Sequence, residues 1–181
     1  MRAAHRAFDW LRQMQLADGS WYAGYKPEGP SDRTRETNMA AYLAVGLWHH
    51  YLISGDVGLL RRMWPTLRNG IDFSLSLQAR EGEIYWAISP QGQVDKMALL
   101  TGCSSIFMSL KCALAIARRL GRRRPDWVES KARLEKALRC KPNLFNVTKS
   151  RFSMDWFYPV LTGALSGRTA RRRISRHWRK F

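Results

Sequence analysis

Phe8-Asp9-Trp10-Leu11-Arg12-Gln13-Met14-Gln15-Leu16-Ala17-Asp18-Gly19-Ser20-Trp21 is answered 63 residues later by Ile71-Asp72-Phe73-Ser74-Leu75-Ser76-Leu77-Gln78-Ala79-Arg80-Glu81-Gly82-Glu83-Ile84. An aromatic or aliphatic residue and an aspartate lead into a helical stretch, which closes on Gln-x-x-x-Gly and a large apolar residue. Self-similarity at a fixed period marks a repeated supersecondary unit. A second echo links Asp95-Lys96-Met97-Ala98-Leu99-Leu100-Thr101-Gly102 with Asp155-Trp156-Phe157-Tyr158-Pro159-Val160-Leu161-Thr162-Gly163. Each contains Leu-Thr-Gly and opens an apolar segment with an aspartate.

Working outward, hydrophobic spacing predicts seven helices. Those at 2–16, 57–79, 126–139 and 168–181 carry a charged face; those at 37–53, 96–120 and 156–165 are apolar over most of their circumference. In the first, Ala3, Ala7, Trp10, Leu11 and Met14 form the apolar face. Pro65 predicts a kink or restart in the third, and residues 84–88 read as a short β-like run. A helix that is apolar all round is buried, and one with a charged face lies outside. Strict alternation of the two kinds predicts a double-walled ring of α-hairpins: an all-α chain with hairpins near 2–54, 57–121 and 126–166 and a basic terminal helix at 168–181. An up-down bundle would not sort its helices so cleanly.

Trp10-Leu11-x-x-x-Gln15-x-x-x-Gly19-Ser20-Trp21 resembles the QW motif of squalene and other triterpene cyclases and their prenyltransferase relatives. Gly55-Asp56, Trp64-Pro65, Asp72-Phe73, Gln78 and Gly82, followed by Ala98 to Gly121, resemble the six-hairpin, glucoamylase-like glycosidases. Both resemblances imply an α/α toroid of the (α/α)6-barrel type, and together they cover residues 8–121, with a looser match over 152–163. Seven helices supply about half of such a ring. The resemblance implies a carbohydrate as the substrate or ligand, or alternatively an isoprenoid; a non-catalytic binding or scaffold protein is the third reading.

The departures from those families limit what they imply. In glucoamylase-like enzymes a general-acid Glu follows the loop Trp; here Trp86 is followed by Ala87, whose methyl group has no proton to give. No two aspartates are adjacent, so a DDxxD cluster is missing, as is an Asp-x-Asp-Asp donor. Gln15, Trp21 and Gln78 read first as residues that hold one hairpin to the next.

Toroid cavities are lined from one end of the inner helices. The starts of the three apolar helices supply Arg35, Glu36 and Asn38, then Asp95 and Lys96, then Asp155, Trp156 and Tyr158. Glu36, Asp95 and Asp155 are the candidate acids or hydroxyl-binding groups. Arg35, Asn38 and Lys96 are candidate polar contacts, with Trp21, Trp86, Trp156 and Tyr158 as stacking platforms. Asp95 and Asp155 read equally as helix caps. The open edge of a half-ring implies a remaining half or an oligomer partner to cover apolar helix faces.

Composition narrows the rest. The chain has 181 residues and a formal charge of +17, but residues 1–117 carry 12 basic and 10 acidic side chains, against 19 and 4 in residues 118–181. The excess is arginine, 23 to 8 lysines, concentrated in runs at 122–124 and 171–173. Nucleic acid is therefore not the expected partner. The terminal basic helix reads as an outer helix that lays its arginines over a neighbour. Three cysteines, without a CxxC pair or a Cys/His cluster, predict no metal site and a reducing compartment. Cys103 and Cys112 read as small buried hydrophobes. His5 and His177 read as surface residues, His49 and His50 as packing or capping ones. With no signal-like h-region or membrane-length apolar run, the expectation is a cytoplasmic protein without a cofactor.

Overall fold

The computed structural model describes residues 2–180. Seven α-helices carry the chain: α1 Arg2–Met14, α2 Thr37–Ser54, α3 Val57–Ser76, α4 Leu100–Arg119, α5 Pro125–Cys140, α6 Ser153–Leu161 and α7 Gly167–His177. Short strands lie between them: β1 Gly24–Lys26, β2 Gly29–Asp32, β3 Arg35–Glu36, β4 Ala87–Ile88 and β5 Val94–Asp95. Helices α2, α4 and α6 form the inner layer and α1, α3, α5 and α7 the outer. Central α4 packs against α2, α5 and α6, and α2 also packs against α3. This is the α/α toroid in partial form.

Repeated contacts explain why the sequence repeats. The Gln15 side-chain amide donates to the carbonyls of Gly19 and Thr66, both at 2.9 Å. Gln78 donates to Gly82 at 2.9 Å and Ser130 at 3.0 Å. Each glutamine closes its own turn and ties it to the next outer helix. Each following glycine has positive φ, +91° at Gly19 and +107° at Gly82. A Cβ there would also overlap the carbonyl of Asn69 or Arg133, so Gly is required twice over.

The aspartates repeat as well. Asp9 lies 4.0 Å from the Arg62 guanidinium, and Asp72 receives Arg124 together with the indole N–H of Trp127, the latter at 2.7 Å. Trp127 is wholly buried beside Trp64, with ring centroids 5.7 Å apart. The signature Asp…Gln…Gly is thus a stapling system between successive outer helices.

Several boundaries and faces differ from the sequence reading. Helix α3 runs through Pro65 without a restart, because its Leu59, Leu60, Met63, Leu67 and Ile71 side are locked into the core. Helix α1 buries Phe8, with Leu11 and Met14 packed against the core, while Ala3, Ala7 and Trp10 are exposed. The apolar arc is turned by about one residue because Trp10 is drawn onto Tyr25 of the β1–β2 hairpin, in an edge contact at 5.2 Å. Helix α4 begins at Leu100, not 96, because Val94–Asp95 pairs into a sheet. Residues 84–88 are extended as expected: Ile84 bridges Gln78 and Ala87–Ile88 is β4.

His5 is half-buried, 3.5 Å from Asp56 and in ring contact with His50 at 5.2 Å. His177 is also half-buried, so neither is a plain surface residue. Helix α4 is apolar and long enough to cross a bilayer by composition alone, yet two-thirds of it is buried in the protein. Its apolar surface is spent on its neighbours.

Arg173 of α7 turns inward and donates to the backbone carbonyls of Asp155 at 2.6 Å and Trp156 at 2.8 Å. Arg171, Arg172 and Arg176 stay exposed. Trp178 meets Trp156 at 6.1 Å; Phe181, the last residue of the basic helix expected at 168–181, lies outside the described residues.

Gln78→Ala removes two hydrogen bonds and is expected to cost about 1–3 kcal/mol in urea unfolding. Gly82→Ala should cost more, because it strains φ and meets a backbone carbonyl that cannot swing away. Equal stability of wild type and Gly82→Ala would contradict the staple.

Candidate functional site

The first turns of the inner helices meet at one end of the fold. Thr37, the first residue of α2, is the hub. Its N–H donates to the Trp86 carbonyl and its hydroxyl to the Tyr85 and Trp86 carbonyls, all at 2.9 Å. Its own carbonyl accepts from the buried Ser74 hydroxyl at 2.7 Å. The loop before α4 is thereby fixed against the start of α2, and the Trp86 N–H completes the seam by donating to Met97 at 2.8 Å.

Strands β3, β4 and β5 form a small antiparallel sheet in that order. Glu36 pairs with Ala87, and Ala87 with Asp95. Residues opposite one another share a face of a sheet, so the two carboxylates flank the buried Ala87 methyl. The position lacking an acid in the sequence is bracketed by two. Two strand spacings separate their backbones, roughly 10 Å.

Glu36 holds the N-cap position of α2, yet its carboxylate makes no capping bond. Asp95 is not a cap either: it lies in β5 and accepts from the Met97 N–H at 2.9 Å. Arg35 projects to the other face of the sheet and is bound to Asp18 at 2.5 Å. Burial pushes the Asp18 carboxyl up, but bonds from Ser20 and the Arg35 charge outweigh it and hold Asp18 below the usual range. Lys96 is exposed.

Asp155 lies within the first turn of α6 rather than at its cap, which is Phe152. It is buried, and burial pushes its carboxyl above the ordinary value; the Arg173 charge, the Thr101 N–H and Lys149 pull the other way without cancelling the effect. Asn38 sits against Gly102 of α4, with its side-chain oxygen buried and without a hydrogen-bond partner. The Tyr42 hydroxyl lies beside that of Tyr158 and raises the Tyr158 pKa.

The expected convergence thus falls into two groups: Glu36 and Asp95 in one sheet row, and Asn38, Asp155 and Tyr158 at the contacts among α2, α4 and α6. The aromatic candidates separate. Trp86 is half-buried at the seam. Trp21 is buried, packs on Gly70, and donates its indole N–H to Leu11 at 2.7 Å. It is core, not an open stacking face, because its turn is pulled inward by the Gln15 staple. Trp156 donates to the Arg173 carbonyl at 3.0 Å in the α6–α7 seam.

Sequence reading missed an aromatic cavity of about 380 Å³ beside this mouth, walled by Trp10, Tyr22, Tyr25, Met39 and Tyr42. Its walls come from α1, the turn region and α2, so no single stretch displays it. A larger cleft of about 660 Å³, rimmed by Arg118, Arg122 and Arg123, lies at the far end of α4. Cys103 is buried, and burial pushes its thiol up to about 12, which removes it as a nucleophile at neutral pH. Among the described residues no three His, Cys, Asp or Glu side chains gather where they could hold a metal ion.

The fold class is that of glycosidase-type α/α toroids. A rhamnosidase from Klebsiella oxytoca, solved with rhamnose bound, superposes with a TM-score of 0.72 at 15% identity, over 97% of this chain and 38% of that one. In sequence, the chain is similar to the MMP endo-(1,4)-3-O-methyl-alpha-D-mannosidase of Mycolicibacterium hassiacum, 46% identical over all 181 residues. The chain spans about half the length of that relative, 50%. No family model matches the chain.

Folding raises the Asp155 pKa above its unfolded value near 3.8. The stability it contributes is therefore fully present below that value and lost as pH rises through the folded pKa. Asp155→Asn abolishes this titration, so the stability of the variant relative to wild type should climb as pH is raised from about 4 toward 7. Urea unfolding across that range checks it, and a difference that falls with pH would contradict the assignment.

Proposed function

We propose that the chain forms half of the ring of a carbohydrate-cleaving α/α toroid, and that its substrate is an α-(1,4)-linked mannoside carrying 3-O-methyl groups. The observation that carries this reading is the 46% identity, unbroken from end to end of the chain, to a curated endo-mannosidase of that specificity. The same observation favours carbohydrate over isoprenoid as the ligand.

Glu36 and Asp95 are the proposed pair of working carboxylates. One gives a proton to the leaving glycosidic oxygen; the other takes a proton from the attacking water. Carboxyl groups about 6.5–9.5 Å apart leave room for that water and invert the anomeric centre. Backbones roughly 10 Å apart across two strands leave room for such a gap between the carboxyl groups. Asn38, with its unpartnered oxygen, would accept a sugar hydroxyl, and Asp155 and Tyr158 would line the same mouth.

The remaining hairpins of the ring come, in this reading, from further polypeptide. It would cover edges where Ile53 and Leu161 stand 73% and 68% exposed.

Release of reducing ends from a 3-O-methylated α-(1,4)-mannan fragment tests the proposal, with NMR following the first-formed anomer. Glu36→Gln and Asp95→Asn should each lower kcat at least 100-fold, in keeping with loss of acid or base catalysis, with unchanged unfolding curves. Full turnover by both variants would remove these carboxylates from the chemistry.

A further inference from the structure

The aromatic cavity between α1, the β1–β2 hairpin and α2 does not include the pair of carboxylates, yet Met39 in its wall follows Glu36 by about one helical turn. Tyr42 joins the two regions: it lines the cavity, and its hydroxyl lies beside that of Tyr158 at the mouth. About 380 Å³ lies within the range of small-ligand sites, about 300–1,000 Å³. Trp10 and Met39 remain 44% and 51% exposed. Trp10 is nonetheless held in place by its edge contact with Tyr25, so the wall is ordered before a ligand arrives.

Few polar side-chain atoms line it, and two of them are engaged. Trp21 gives its indole N–H to Leu11, the Tyr25 hydroxyl accepts from the Tyr22 N–H at 3.1 Å, and the Tyr42 hydroxyl faces Tyr158. A sugar face bearing several free hydroxyls would find few partners on this mainly aromatic and aliphatic lining, and each one left unpaired is costly. A methyl ether has no such donor and adds an apolar group that aromatic rings and a thioether can surround. On the basis of the mannoside reading above, we infer that this cavity is a subsite for the O-methylated face of the sugar and selects methylated over plain mannosides.

The cavity also lies along the stripe Met39, Gly46 and Ile53 of α2, which is the open edge of the half-ring. A polypeptide helix would use the whole stripe, Ile53 included; a methylated sugar needs only the concave part at Met39. That difference separates the two occupants.

The test is calorimetric titration of the full chain with methyl 3-O-methyl-α-D-mannopyranoside and with methyl α-D-mannopyranoside. Burial of one methyl group, about 0.8 kcal/mol, corresponds to a factor of about four, so the methylated sugar should bind at least about fourfold tighter. Trp10→Ala and, independently, Met39→Ser should bring the ratio toward one, whereas Ile53→Ala should leave it unchanged. Equal affinity in the wild-type chain, or a ratio that survives both Trp10→Ala and Met39→Ser, overturns the subsite while leaving the mannoside reading intact. A ratio that collapses in Ile53→Ala as well places the selectivity outside the concave part at Met39 and also overturns it. If neither mannoside binds and neither is cleaved as part of a longer chain, the subsite and the proposed function fall together.

Discussion

A single side-chain amide, used twice, holds this architecture together. The outer helices α1 and α3 each end in a turn whose carbonyl would otherwise be half-buried and unpaired, and such groups are costly in a protein interior. Gln15 and Gln78 each satisfy the carbonyl of their own turn and one on the next outer helix. The same bond that closes the hairpin thus sets the position of its neighbour. The glycine that follows lets the two backbones approach where a Cβ would not fit. Outer helices are spaced by this contact, and inner helices are then confined to the space they enclose.

Confinement gives the mouth its geometry. Once α2, α3 and α4 are fixed, Thr37 can bind the carbonyls of Tyr85 and Trp86 and hold the loop before α4 in extended form. That loop has only enough length to add two short strands, and their register sets Glu36 and Asp95 on either side of Ala87. A carboxylate pair 59 positions apart in sequence becomes a cross-strand row. The second group, Asn38, Asp155 and Tyr158, arises instead from direct contact among helix starts. Both depend on outer-helix spacing, and Arg173 of α7 reaches the second directly.

Legibility from sequence followed the range of the interactions. The 63-residue echo and the alternation of apolar with amphipathic helices were readable, because each is a local pattern repeated. The start of α4 was not: Asp95 and Lys96 precede apolar residues just as a cap would, and only pairing with β4 takes them out of the helix. Trp10 reads as core from its spacing, since nothing local announces that Tyr25 will draw it onto a hairpin. Trp21, read first as a residue joining hairpins and second as a platform, is buried beside Gly70, in keeping with the first reading.

The charge belongs with the local patterns too. Its concentration in residues 118–181 follows from composition, and the structure sets most of those arginines on outer surfaces while Arg173 alone is shown turning in to carbonyls of α6. By itself the sequence determined the unit of construction: an outer helix, a Gln-x-x-x-Gly turn and an inner helix, repeated. Propensity, apolar spacing and φ-permissive glycine all act within a few residues. Tertiary structure alone decided which acids face each other, which aromatics stay open, and that a cavity exists. Those outcomes depend on strand register and on the rotation of one helix against another, and both are fixed by contacts between residues far apart in the chain.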